Sequence, residues 1–235
     1  MMKDKIHIFL EFKNLQIIFY AYNSNFENFY QNTINLDFSN QDSLKNLSKI
    51  IREEIIKIEK KIGEFINEIN IILDLNKSVS IRLNTFKKKE NSQIINDDIK
   101  YLIQDARQQI IEQNNNLTIL HIYVDSYYIN KIKKERISNI FSAEDFSIAL
   151  NFICYPTTEL LDFKSLLAKS QIKVSKFICY KYLESFSDKN LTKDLQTAHA
   201  ALKTIMGSNE NEVQMVPKIT KKQGFFEKVF KFLVK

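Results

Sequence analysis

Ile6-His-Ile-Phe-Leu-Glu-Phe-Lys-Asn-Leu-Gln-Ile-Ile-Phe-Tyr-Ala-Tyr22 is the stretch that sets the fold class. Ile6 to Phe12 and Leu15 to Tyr22 are rich in β-branched and aromatic residues, and Lys13-Asn14 between them predicts a hairpin. Asn32 to Phe38 adds a third strand through the alternation of Ile34, Leu36 and Phe38. Asp42-Ser43 then precedes Leu44, Leu47, Ile50, Ile51, Ile55, Ile58 and Ile62. That stripe, of period about 3.6, predicts one long helix packed on the sheet and stopped near Gly63. Ile69 to Leu75 is a short apolar run of buried-strand character, and it completes a β-β-β-α-β unit of the α/β (α+β) class.

Beyond this unit the pattern restarts near Lys77. A strand Val79 to Phe86 leads into a polar, lysine-rich turn at Lys87 to Asn91 and a helix Asp97 to Gln113, with Ile99, Leu102, Ile103, Ala106 and Ile110 on one face. Leu117 to Ile129 and Phe146 to Cys154 read as strands. Thr157-Thr158 with Glu159 opens a helix through about Lys169 that turns Leu160, Leu161, Leu166 and Leu167 inward. Ile172 to Tyr180 is a further strand, Ser187 to Thr192 is polar, and Leu195 to Met206 is a short helix. Gly207 to Lys222 has few periodic apolar residues and contains Pro217, which predicts a flexible linker over 207–223.

Composition removes whole classes of chemistry. With three glycines in 235 residues, at positions 63, 207 and 224, no loop can wrap a phosphate with closely approaching backbone amides. Cys154 and Cys179 stand far apart with no CxxC, so neither a zinc site nor a disulfide framework is expected, and the compartment reads as reducing. No apolar run approaches the roughly 18 residues of a spanning helix, and Asp4, Glu11 and Lys13 interrupt the amino-terminal run, so neither a signal peptide nor a spanning segment is expected. The formal charge is +6, and most of it sits in Lys218, Lys221, Lys222, Lys228, Lys231 and Lys235. The body is nearly neutral and holds Arg52, Arg82, Arg107 and Arg136 as its arginines, a poor endowment for bidentate reading of bases and phosphates. Nucleic acid is therefore not the expected partner, and a lysine-rich nucleic-acid-binding protein is the least favoured alternative.

The final segment, Gly224-Phe-Phe-Glu-Lys-Val-Phe-Lys-Phe-Leu-Val-Lys235, carries the clearest functional signal. At about 100° per residue, Phe225, Phe226, Val229, Phe230, Phe232, Leu233 and Val234 fill one arc, and Glu227, Lys228, Lys231 and Lys235 fill the other. Such a helix fits an interfacial anchor, its apolar face in the acyl boundary and its lysines on anionic lipid headgroups. The membrane-binding residues expected from this pattern are Phe225, Phe226, Lys228, Val229, Phe230, Lys231, Phe232, Leu233 and Lys235. A helix about 18 Å long is marginal in water, so it should fold on the surface that buries it, and a durable hold needs several tails joined by self-association.

Four segments together resemble the bacterial cell-division protein FtsA, an actin homologue that tethers the division ring to the inner membrane. The first is Leu117-Thr-Ile-Leu-His-Ile-Tyr-Val-Asp-Ser-Tyr-Tyr-Ile-Asn130. The second is Glu144 to Lys181, in which strand, Thr157-Thr158, helix and strand follow in the family's order. Leu195-Gln-Thr-Ala-His-Ala-Ala-Leu-Lys203 is the third, and the basic tail is the fourth. The resemblance implies a truncated actin-like, ribonuclease H-like subdomain formed by 1–76 and 171–206 (subdomain 1A). It also implies an inserted strand-helix-strand-strand subdomain over 77–170 (domain 1C) and an amphipathic membrane-targeting helix over 224–235. Val124 replaces the family's proline in the first segment, and the glycine after the family's Thr-Ala is replaced by alanine.

The departures shape the functional expectation. Actin-like ATPases hold nucleotide between two hairpins rich in Asp, Gly and Thr, and here the first such hairpin reads Glu11-Phe-Lys-Asn-Leu-Gln16. Only a short stretch between Lys181 and Leu195 stands where the family has its entire second lobe, with the other phosphate hairpin, the adenosine pocket and the FtsZ-tail patch. No cofactor and no catalysis are expected. His7, His121 and His199 have no nucleophile or carboxylate at a recognisable spacing and read as structural. Asp97-Asp98, in the first turn of a helix, reads as capping. Lys87 to Lys89 and Lys131 to Arg136 are basic runs near strand ends that read as solvated turns. The sequence thus predicts a non-enzymatic FtsA-like adaptor on the cytoplasmic face of the inner membrane at the septum, offering its inserted subdomain to division proteins such as FtsZ or later arrivals. The alternative is an actin-like scaffold of another envelope machine, such as pilus assembly.

Overall fold

The structure is a computed structural model, and it describes residues 5–13, 15–36, 41–138, 140–185, 187, 193–208 and 212–213. The chain runs β1 (Ile6–Lys13), β2 (Gln16–Asn23), β3 (Asn28–Asn35), α1 (Gln41–Ile62), β4 (Glu68–Asp74), β5 (Val79–Ile95) and α2 (Asn96–Gln113). It continues with β6 (Leu117–Ile129), β7 (Ile132–Lys134), β8 (Ile140–Pro156), α3 (Thr157–Ala168), β9 (Lys173–Cys179), α4 (Tyr180–Glu184) and α5 (Lys193–Ile205).

The first sheet has five strands in the order β3-β2-β1-β4-β9. β2 runs antiparallel to β1 and β3, and β1, β4 and β9 are parallel. A three-stranded meander followed by two parallel crossover strands, with only the second strand reversed, is the topology expected of an actin-like, ribonuclease H-like subdomain. Helices cover both faces. Ile8, Leu10 and Phe12 of β1 pack with Ile51, Ile55 and Ile58 of α1 and Leu160 and Leu167 of α3, whereas Phe9 packs with Tyr182 and Leu183 of α4 and Ala198, Ala201 and Leu202 of α5. Burial on both sides explains why β1 and β2 read as nearly unbroken apolar runs.

The second sheet has four antiparallel strands in the order β5-β8-β6-β7. Its inner face, with Ile122, Val124, Phe146, Ile148, Leu150 and Phe152, packs on Ala106 and Ile110 of α2. The two sheets join at one end: Ile153 and Tyr155 of β8 point away from α2 and enter the two cores of the first sheet. Among the described residues, no helix covers the opposite end of that outer face, where Phe86 is exposed.

Several boundaries differ from the sequence expectation for identifiable reasons. β3 starts four residues and ends three residues earlier than the alternation of Ile34, Leu36 and Phe38 predicts, because the hairpin register with β2 pairs Gln16 with Asn35, and the Leu36 N–H closes on the Leu15 carbonyl at 2.6 Å. The lysine-rich stretch Lys87 to Asn91 is not a turn. β5 continues through it along β8, with an irregularity between Lys88 and Ser92, and runs directly into α2. Leu161 of α3 is exposed, while Leu160 and Leu167 are buried. Gly63 ends α1 at φ 73°, its N–H bonded to the Glu59 carbonyl at 2.8 Å, as a left-handed helix stop requires. Asp98 is a cap as read: its carboxylate accepts the Ile95 N–H at 3.2 Å and also holds Lys87.

Candidate functional site

In open α/β sheets, ligands bind beyond the carboxyl ends of the parallel strands. Here those ends bring together Lys13 of β1, Asp74 of β4 (its register partner) and Tyr180, which follows β9 directly. The Lys13 ammonium lies 5.4 Å from the centre of the Tyr180 ring, a cation–π distance. Glu184 sits one turn further along α4. Burial pushes the Asp74 carboxyl up; Lys13 opposes that shift and Glu184 adds to it. The Tyr180 hydroxyl is raised by burial too, against the pull of Lys13. Below them Glu11 is buried and accepts the Tyr20 hydroxyl at 2.8 Å.

This crevice does not suit the nucleotide that an actin-like fold implies. Glu11, Asp74 and Glu184 gather where phosphates would bring further negative charge, and Lys13 is engaged on Tyr180. The hairpin above offers Lys13-Asn14-Leu15-Gln16 in place of a glycine-bearing amide cradle. Among the described residues no three His, Cys, Asp or Glu side chains form a metal-ligating group.

A second constellation rivets the two sheets. His121 of β6 is buried; its Nε2 accepts the Cys179 N–H at 3.0 Å and its Nδ1 lies 3.1 Å from Glu212 Oε1. The first bond fixes the tautomer, so Nδ1 carries the proton and donates to the carboxylate. The ring stacks on Tyr182, with centroids 4.0 Å apart and planes at 12°. Burial holds the imidazole below its ordinary pKa, with Glu212 working in the opposite direction. The Glu212 carboxyl stays below its ordinary value because hydrogen bonding to His121 and the charge of Lys176, 3.5 Å away, outweigh its burial. Backbone pairing completes the clasp: Tyr123 bridges Glu212, and the Val213 N–H donates to the Ile122 carbonyl at 2.8 Å. Residues 212–213, within the stretch read as linker, are thus bound along the edge of β6. The structural reading of His121 holds, and nothing in the sequence marks Glu212 as its partner.

The open end of the second sheet forms a third feature, a cavity of about 390 Å³ lined by Asn84, Phe86, Lys87, Lys88, Tyr128, Lys131, Asp145, Phe146 and Ser147. The two basic runs read separately in the sequence meet at its rim. Asn130 and Lys131 both have positive φ, 48° and 67°, in the tight β6–β7 turn. Asn130 Oδ1 pins this turn to β8 by accepting the N–H groups of Glu144 and Asp145 at 3.0 and 3.1 Å.

The membrane-binding residues expected from sequence, Phe225, Phe226, Lys228, Val229, Phe230, Lys231, Phe232, Leu233 and Lys235, lie outside the described residues. Cys154 and Cys179 are buried free thiols, and burial raises Cys154 to about 11, far from a nucleophilic thiolate at neutral pH.

No protein-family model matches the sequence, and no curated protein matches it. Among solved structures, the chain is similar to a PilM–PilN type IV pilus biogenesis complex at 6% identity and a TM-score of 0.47, covering 77% of this chain and 48% of that one. It is similar to the cytoplasmic domain of EpsL, an inner membrane component of the type II secretion system of Vibrio cholerae, at 10% identity and a TM-score of 0.37, covering 76% of this chain and 57% of that one. A Bacteroides thetaiotaomicron protein with an actin-like ATPase fold is similar at 10% identity and a TM-score of 0.37, covering 78% and 56%. The chain spans about half the length of the solved structures it matches. The actin-like assignment itself rests on the strand order and directions of the five-stranded sheet.

Proposed function

We propose that this chain is a non-enzymatic, actin-like adaptor of a bacterial envelope machine, held peripherally at the cytoplasmic face of the inner membrane by its carboxy-terminal segment. In its finer form the proposal is an FtsA-like adaptor at the division septum, binding division proteins through the inserted subdomain and self-associating so that several tails act together. The observation that carries the non-enzymatic part is the crevice at the ends of β1, β4 and β9, where Lys13, Asp74, Tyr180 and Glu184 gather and the hairpin sequence Lys13-Asn14-Leu15-Gln16 carries no glycine. Support for the membrane part comes from the segregation of phenylalanines and lysines over 224–235. Support for the adaptor part comes from exposed apolar residues on the α2 side of the inserted subdomain, Tyr101 and Ile111 among them.

Fluorescent localisation of the full chain in its native cell tests the reading. A septal band that Phe226→Glu with Phe230→Glu disperses into the cytoplasm supports the division role. Polar foci indicate another envelope machine, such as a pilus or secretion assembly. Diffuse fluorescence of the parent chain rejects both. Recovery of FtsZ in a pull-down shows a contact that does not require the second lobe.

A further inference from the structure

We propose that the open end of the four-stranded sheet is a second lipid-contacting surface, on which Lys88, Lys131 and Lys133 meet the phosphates of an anionic membrane beside the exposed ring of Phe86. The proposal rests on the membrane reading above and adds an orientation to it, because a tail anchor alone does not set which face of the body meets the membrane. Strand parity puts the residues together. As far as Lys88, odd positions of β5 face α2, as Ile81, Leu83 and the bond between Lys87 and Asp98 show, so Phe86 and Lys88 project from the other side with Asn84. Tyr128 of β6 lines the same cavity, and its register partner on β7 is Lys133.

Phe86 is 72% exposed, at the mouth of a cavity whose rim carries Lys87, Lys88 and Lys131 against Asp145. An exposed aromatic ring among lysines is the composition of a membrane interface, where the ring enters the headgroup boundary and each ammonium finds an anionic neighbour. The Asn130–Lys131 turn fixes the backbone from which its lysine projects. Both residues are left-handed, a conformation costly for lysine, and Asn130 fastens the turn to β8 by donating its N–H to the Asp145 carbonyl and accepting two β8 N–H groups at Oδ1.

Two observations favour lipid over an acidic protein segment. The cations at the rim are lysines, which act as hydrated point charges, whereas recognition of a defined carboxylate favours the bidentate fork of arginine. Arg82, on the same face, is turned to Asn151 at 3.3 Å. The path of the chain is the second. Val213 is fastened to Ile122 on the β6 edge, and Tyr128 lies roughly 20 Å further along the same strand at about 3.3 Å per residue. The segment 214–223 spans up to about 33 Å when extended, so the amphipathic tail can reach the membrane on which this face rests. Two contacts on one surface then reinforce each other through effective concentration.

The test uses the full-length chain and sedimentation with vesicles of neutral phosphatidylcholine or of phosphatidylcholine mixed with phosphatidylglycerol. In a background where the tail is inactivated by Phe226→Glu and Phe230→Glu, binding to the anionic vesicles should persist at low salt, vanish on neutral vesicles and fall as salt is raised. Adding Lys88→Glu and Lys131→Glu should weaken that binding about thirtyfold or more, the effect expected of two lysines at an anionic surface. The Lys88 and Lys131 side chains are exposed, and an unchanged circular dichroism spectrum confirms that the fold is kept. Equal binding with and without the charge reversals, in both backgrounds, overturns the proposal. Equal vesicle binding together with charge-sensitive capture of polyglutamate also overturns it, in favour of an acidic protein segment. Failure of the tail substitutions to reduce binding of the parent chain rejects the tail anchor instead, and leaves the charge-reversal comparison readable.

Discussion

His121 concentrates more of the architecture than any other residue. It joins the second sheet to the first through the Cys179 N–H and ties down the chain after α5 through Glu212. Replacing it by phenylalanine keeps the stack on Tyr182 but strands the buried Cys179 N–H and leaves Glu212 to Lys176 and Tyr182, so His121→Phe should cost about 2 to 4 kcal/mol, read as a shift in the urea midpoint. The pH dependence follows from the same contacts. His121 and His7 both have folded pKa values below the ordinary 6.5, so the folded state binds fewer protons than the unfolded chain. Their contribution is fully present above about pH 6.5 and is lost as the pH falls through the folded values. Glu212, lowered from 4.5, acts in the same sense at more acidic pH. Urea midpoints should therefore fall between pH 7.5 and 5, and less steeply in His121→Phe. At this scale the sequence told that His121 is structural but not what satisfies it: Glu212 is 91 residues away, in a stretch with no periodic pattern.

Elements were legible where periodicity was strong and both ends carried signals. α1 has an apolar stripe and a glycine stop, and its buried apolar side chains among the described residues, Ile51, Ile55 and Ile58, are those of the stripe. Ile58 is 0% exposed, and Ile58→Ala should cost about 2 to 5 kcal/mol, whereas Ile56→Ala, 39% exposed on the solvent side, should stay within about 0.5 kcal/mol by the same denaturation measurement. Equal costs would contradict the assigned face. β6 matched at both ends, since Leu117 to Ile129 alternates and is bounded by polar residues. β5 was cut short because Lys87-Lys-Lys89 has the composition of a turn. Cross-strand pairing with β8 overrides that local preference, and lysines on an edge strand also discourage pairing with other chains. The bond from the Ile95 N–H to Asp98 makes a smaller prediction: Asp98→Ala should cost about 1 kcal/mol of thermal stability through loss of the cap.

For the whole molecule, the inserted unit and the actin-like topology were implied by the family resemblance, and only the order of strands and helices could be read from the apolar runs. The convergence of two basic runs on one cavity could not, because Lys88 and Lys131 meet only through the pairing of β5 and β6 on opposite sides of β8. Neither could the cluster at the ends of β1, β4 and β9, where the topology of the sheet supplies the proximity. Isothermal titration with ATP and magnesium should give no binding heat, and a saturable heat would contradict the reading of that crevice. The most direct test of a tethered, nucleotide-independent adaptor is flotation of the full chain with anionic vesicles at physiological salt, with no nucleotide added. The parent chain should rise with the vesicles and the Phe226→Glu, Phe230→Glu chain should stay at the bottom of the gradient; equal flotation of the two, or flotation of neither, would contradict the account.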